Sequence, residues 1–285
     1  MARAQCADDT PIDHDSEKPN HMILWLDAGI GNPKEYIHLK KAFAGNTDPR
    51  AERPMMLNDK DYEMILQTGD AVTVTFEGVT FLLQAFQNEE ACLKAFEENQ
   101  TKRIFFITSG KLGRTAVPTI IEQYRHVFTD SISNKPYPSI YVFCHNIQWQ
   151  MDWAGDYLEY LQMFNFDSEL LQRMTRDIAD YFIERGARLR HEDNFEGAIQ
   201  RLHWAKKLWY QYDKMTQQIS TDDLTPVAPS QRSKDIDNLL DEVERLYGDQ
   251  QQTRWAEQVN YNQSHPDDRH PNDDDDDTKC GQSSS

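Results

Sequence analysis

A chain of 285 residues with 38% hydrophobic side chains is long enough for one or two domains with a buried core. Its net charge of −18 lies mostly in the ends: residues 220–285 carry −10 and residues 1–20 carry −3, leaving −5 over 21–219. A net-negative body without a basic stripe argues against nucleic acid as a partner, because neutralised phosphates supply most of that affinity.

Residues 1–20 are polar and acidic and are expected to be disordered. Residues 22–27 form a continuous apolar run ending in Asp-Ala-Gly, the pattern of a strand buried on both faces. Asn32-Pro33 then reads as the cap and first residue of a helix to about residue 44. Residues 45–80 are rich in Asn, Asp and Arg and read as an insertion; within it, 59–67 predicts a short helix and 71–76 a hairpin arm turning at Glu77-Gly78. A regular rhythm follows: strand 81–86, helix 88–99, strand 103–108, helix 112–124 with Pro118 inside it, strand 139–144, helix 147–160 and a short last strand 162–166. Strands alternating with helices imply parallel crossovers. The expected fold is α/β: a doubly wound, mostly parallel five-stranded sheet in flavodoxin-like order spanning 21–166.

From 167 to 219 the pattern is purely helical. Phe182, Gly186, Ala198, Leu202 and Ala205 fall at the spacings of one tetratricopeptide-like helical hairpin, with its turn at Asp193-Asn194. Trp204, Trp209 and Tyr212 lie on its second helix and are candidates for docking a protein partner. A linker at 220–232 follows. Ile236, Leu239, Leu240, Val243 and Leu246 then predict one isolated amphipathic helix over 233–248. Leu239, Leu240 and Val243 are its candidate docking residues, since a helix of that length is marginal without a partner. Residues 249–285 read as a disordered acidic tail.

Chemistry is sparse. The cysteines Cys6, Cys92, Cys144 and Cys280 show no CxxC spacing and no histidine at ligand spacing, so neither a metal nor a cofactor is expected. No run has the length of a signal-peptide core or a membrane span, so the expectation is a reduced cytoplasmic protein that does not engage membranes; its oligomeric state is open. Asp27, at the tip of the first strand, lacks the second acid, the phosphorylatable aspartate and the lysine that a receiver domain needs. Ser109, Gly110, Lys111 and Arg114 could cradle an anion where a strand turns into a helix, but neither GxxxxGK[ST] nor GxGxxG is present. Ser109 lacks a nucleophile elbow, and Glu89 and Glu90 have a routine explanation at a helix start. No catalytic residue is assigned.

Three runs, Ile-Leu-Trp-Leu-Asp-Ala at 23–28, Ile-Thr-Ser-Gly-Lys-Leu-Gly at 107–113 and Ser-Ile-Tyr-Val-Phe-Cys at 139–144, carry a likeness to a known family, with Trp153-Ala154 and residues 174–182. Over 21–215 the chain resembles an uncharacterised α/β module of invertebrate multidomain proteins. That module stands ahead of arginine-specific mono-ADP-ribosyltransferase domains or tetratricopeptide arrays. The resemblance implies an accessory or sensing domain and carries no catalytic residues. No R-S-ExE set occurs here, so transferase activity is not implied. The expected function is a non-enzymatic interaction or regulatory module, acting through the hairpin or residues 233–248. The alternative is a nucleotide- or NAD-related binder or hydrolase using the crevice beside Asp27 and Ser109.

Overall fold

The computed structural model describes residues 20–45, 55–217 and 226–264. In chain order its strands are β1 (His21–Leu26), β2 (Phe43–Gly45), β3 (Met55–Met56), β4 (Val72–Phe76), β5 (Val79–Phe86), β6 (Arg103–Ser109), β7 (Ile140–Phe143) and β8 (Leu161–Phe164). The helices are α1 (Ile37–Lys41), α2 (Asp59–Thr68), α3 (Glu89–Glu98), α4 (Gly110–Tyr124), α5 (Met151–Ala154), α6 (Asp167–His191), α7 (Phe195–Thr216) and α8 (Gln231–Ser264). Residues 1–19 and 265–285, from the segments expected to be disordered, and residues 220–225 of the expected linker lie outside the described residues.

One sheet runs β3-β2-β4-β5-β1-β6-β7-β8. Its five strands β5-β1-β6-β7-β8 are parallel, whereas β2, β3 and β4 pair antiparallel, so the sheet has eight strands rather than the expected five. The difference comes from the presumed insertion. Residues 72–86 fold as a hairpin through Glu77 and Gly78, both at positive φ (49° and 75°), and its first arm recruits β2 and β3.

β1 sits at the centre, and all six of its residues are buried. Period-2 alternation divides them between two cores. Ile23 and Trp25 join Phe105, Ile107 and Tyr141 on one face, beneath α1, α2, α6 and α7. Met22, Leu24 and Leu26 join Ile104, Phe106, Ile140 and Val142 on the other, beneath α3 and α4. Such double burial is why these strands read as unbroken apolar runs.

Caps explain several helix starts. Asn58 makes a capping box with Asp61, while Asn88 and Ser109 each accept from an amide of the first turn. Asn32-Pro33 does not start a helix. The Asn32 side chain accepts from the Lys34 amide in a turn, and α1 begins only after Tyr36, whose φ of 56° is left-handed. Residues 147–160 likewise fold not as one helix but as a 3-10 turn, the single-turn α5 and a second 3-10 turn.

α6 and α7 form an antiparallel hairpin, with Gly186 facing Leu202 near the turn and Gln172 bonded to Thr216 near the open end. A Cβ on Gly186 would come within 2.9 Å of Leu202, so glycine is what lets the two helices close. α8 is the largest departure from expectation. It is 34 residues long, neither isolated nor confined to 233–248, and continues through the first part of the presumed disordered tail. Ile236, Leu240 and Val243 are buried, the latter two with Leu189, Phe195, Ala198 and Leu202 in a third core. Its start is pinned by buried Asp213, which accepts from the Ser230 amide and, at 2.7 Å, from Ser233 Oγ. Ion pairs Arg190–Glu242 and Lys206–Asp237, each 2.6 Å, line the rim.

Candidate crevice at the strand tips

In a doubly wound sheet the chain leaves successive strands toward opposite faces at one point, and the diverging loops leave a crevice beyond the C-terminal strand ends. Here that point lies between β1 and β6. β1 connects through α1 and α2 on one face, whereas β6 is entered and left through α3 and α4 on the other. The loops after β1, β6 and β7 enclose a cavity of about 400 Å3, lined among others by Asp27, Tyr36, Lys111, Phe143, His145 and Trp149. Ser109 and Gly110 also line it, whereas Arg114 does not. Trp25 and Phe105 do not plug it; both are fully buried in the core behind.

Asp27 is committed to structure. One carboxylate oxygen accepts from the Gly29 amide, and the other accepts from Tyr36 Oη at 2.6 Å. Burial, and then the adjacent Asp27 charge, push the Tyr36 phenol far above its ordinary value, so it stays a neutral donor. The Tyr36 ring in turn packs edge-on against Trp25 and tilted on Phe143, which fixes the crevice wall. Close by, Lys40 Nζ donates to the Asn32 carbonyl at 2.7 Å and ties the 27–36 loop to α1.

The Ser109–Arg114 segment is shaped by packing. Ser109 Oγ accepts from the Leu112 amide as the cap of α4. A Cβ on Gly110 would lie 2.9 Å from both Cys144 Cβ and Gln150 Cδ, and one on Gly113 would lie 2.9 Å from Thr108 Cγ2. Two glycines three apart therefore let α4 lie against β6 and the 144–153 loop. That accounts for the glycines of the motif without a phosphate. Lys111 remains exposed at the crevice mouth.

The loop after β7 supplies what the sequence reading left out. Trp149 is 75% exposed on the 3-10 turn at 148–150, and Gln150 Oε1 accepts from Trp153 Nε1 at 2.9 Å, holding that turn against α5. The sequence pattern predicts a helix here, and that prediction hides a loop that faces a cavity. Burial raises the Cys144 thiol above its ordinary value, which makes it a poor nucleophile. No described hydrogen bond joins Ser109 or Cys144 to a histidine or a carboxylate, and no group of three potential metal ligands occurs among the described residues. The crevice lining also presents aromatic surface at Trp149 and Phe143, amides at Asn146 and Gln150, and the cation of Lys111.

The proposed docking residues have a different fate. Trp204 packs edge-on against His21 and Phe182, Trp209 is buried with Nε1 donating to Ser230 Oγ at 2.8 Å, and Tyr212 packs on Trp209. Leu239 is half-buried, and Leu240 and Val243 are buried. These faces are spent on the chain's own core. No helix among the described residues is long and apolar enough to cross a membrane.

Fold and crevice together define an α/β protein with a ligand-sized hollow at its switch point and no assembled catalytic set among the described residues. Comparison of the chain with models of known protein families, with curated proteins and with solved structures gives no match.

Proposed function

We propose that the chain is a non-catalytic, regulatory ligand-binding module whose crevice takes a small molecule of the nucleotide class. One observation carries this reading: the hollow at the strand tips is lined by aromatic, amide and cationic side chains, with Asp27, Glu35 and His145 beside them, yet no described hydrogen bond joins Ser109 or Cys144 to a base there. A base or nicotinamide ring would stack on Trp149, and an anionic group would meet Lys111 at the start of α4. The parallel succession β5-β1-β6-β7-β8 supports a flavodoxin-like core, and the small residues between α6 and α7 support a tetratricopeptide-like hairpin. The resemblance to modules that accompany ADP-ribosyltransferases favours a sensing role over a catalytic one.

Calorimetric titration with NAD, ADP-ribose and ADP tests it. Saturable binding that Lys111→Ala and Trp149→Ala each weaken is expected, with no consumption of NAD. Silence across the three ligands would sink the crevice reading, and turnover would sink its non-catalytic part.

A second reading, protein docking, rests on a different place from the one first expected. Beyond Gly248 the outer half of α8 is exposed, with Trp255 at 70%. Deleting residues 249–285 would abolish capture of a protein partner and leave small-molecule binding intact.

A further inference from the structure

A second cavity, of about 230 Å3, lies at the other end of the sheet, where β6 and β7 begin. Arg103 opens β6 there. Its guanidinium lies 3.5 Å from the centroid of the Tyr137 ring, with Phe105 at 5.3 Å and Tyr181 at 5.5 Å. Among the described residues its hydrogen bonding amounts to one long contact, Nη1 to the Val127 carbonyl at 3.4 Å, and Nε is buried without a partner. An arginine enclosed by rings with open donors is costly unless an anion answers it.

The neighbouring acids are already engaged. Asp177 accepts from Arg173 at 2.8 Å, from Gln162 at 2.9 Å and from Tyr141 at 3.3 Å. Asp180 pairs with Arg176 at 3.7 Å and Arg232 at 3.0 Å. Asp130 accepts from Tyr137 Oη at 2.7 Å and pairs with Arg188, which fixes the ring over Arg103. Glu184 is the exception: it lines the same cavity, is exposed, and forms no ion pair with Arg103 or with any other described residue.

We propose that this cavity is a ligand site for a small zwitterion of the α-amino-acid class, with the ligand carboxylate on Arg103 and its ammonium toward Glu184. The mixed lining selects against the simpler classes. A phosphate dianion would face Asp177, Asp180 and Glu184, and a plain cation would face Arg103, Arg173 and Arg176. Tyr137 and Tyr181 wall the space left for the ligand's own side chain. The site is independent of the crevice, which opens at the opposite strand ends.

The test is calorimetric titration of the full chain with each of the standard amino acids, and with acetate, methylammonium and inorganic phosphate. One or more amino acids should saturate, with the three simple ions binding about tenfold more weakly or worse. Glu184→Gln, at an exposed position where folding is unaffected, should weaken amino-acid binding about tenfold or more. Arg103→Lys keeps the charge but loses the planar fork and should weaken it too, with its fold checked by circular dichroism. Lys111→Ala should leave it unchanged. Absence of saturable binding overturns the proposal. So do equal binding of acetate or phosphate, indifference to Glu184→Gln, and loss of binding in Lys111→Ala.

Discussion

His21 shows how one residue carries a pH dependence. It is fully buried among Phe81, Phe182 and Trp204, and its Nε2 bonds the Thr80 carbonyl at 2.8 Å. Burial lowers its pKa from 6.5 to about 4, against the smaller opposing pull of the Thr80 carbonyl. The unfolded chain therefore takes up a proton below pH 6.5 that the folded chain refuses until about pH 4. Stability should fall by about 3 kcal/mol across that window, and urea titrations at several pH values should show His21→Phe flattening the dependence. Asp130 works in the same direction at lower pH. Burial would raise its carboxyl, but the Ser133 amide, Arg188 and Tyr137 outweigh it and hold the group well below the usual range. Its contribution is present above the ordinary carboxylate pKa and is lost as pH falls through the lower folded value. Asp130→Asn should cost about 2–4 kcal/mol at pH 7 by denaturant unfolding.

At the scale of elements, the close contacts make the sharpest tests. Gly186→Ala would force a methyl against Leu202 and part the α6–α7 hairpin, at about 1–3 kcal/mol. Leu240→Ala would open a cavity between α8 and the hairpin, at about 2–4 kcal/mol. Amide hydrogen exchange should show protection along α8 that drops beyond Gly248, where the helix no longer touches a core. The central strands were legible in the sequence because burial on two faces writes unbroken apolar runs at 22–26, 104–107 and 140–142. The helices capped by Asn58, Asn88 and Ser109 were legible for a similarly local reason. β2 and β3, of three and two residues, exist only through pairing with β4 and with each other, which no local pattern records. The full length of α8 was hidden because its outer half has no apolar periodicity, although no proline interrupts the chain from 231 to 264. The crevice was half visible: Asp27, Ser109, Gly110 and Lys111 stood at strand tips, whereas Tyr36 and Trp149 come from turns with no period to read.

For the molecule as a whole, the two cavities lie at opposite ends of the same strands, joined through β6, whose first residue lines one and whose last residue lines the other. A crevice ligand at about 100 times its dissociation constant should add about 2.7 kcal/mol of stability, readable as a rise in melting temperature. Trp149 provides a second reading of the same event, since quenching of an exposed indole on ligand addition should vanish in Trp149→Phe. The apolar faces of the hairpin and of the inner half of α8 are buried in the chain's own cores.

The sheet ends in strands of two and four residues, β3 and β8. A foreign strand recruited there would find few main-chain donors and acceptors to register against, so edge-to-edge polymerisation has little template to grow from. The long, apolar, aggregation-prone runs are the interior ones, already paired on both sides. Heating that separates them, rather than storage of the native protein, is where fibre formation should begin.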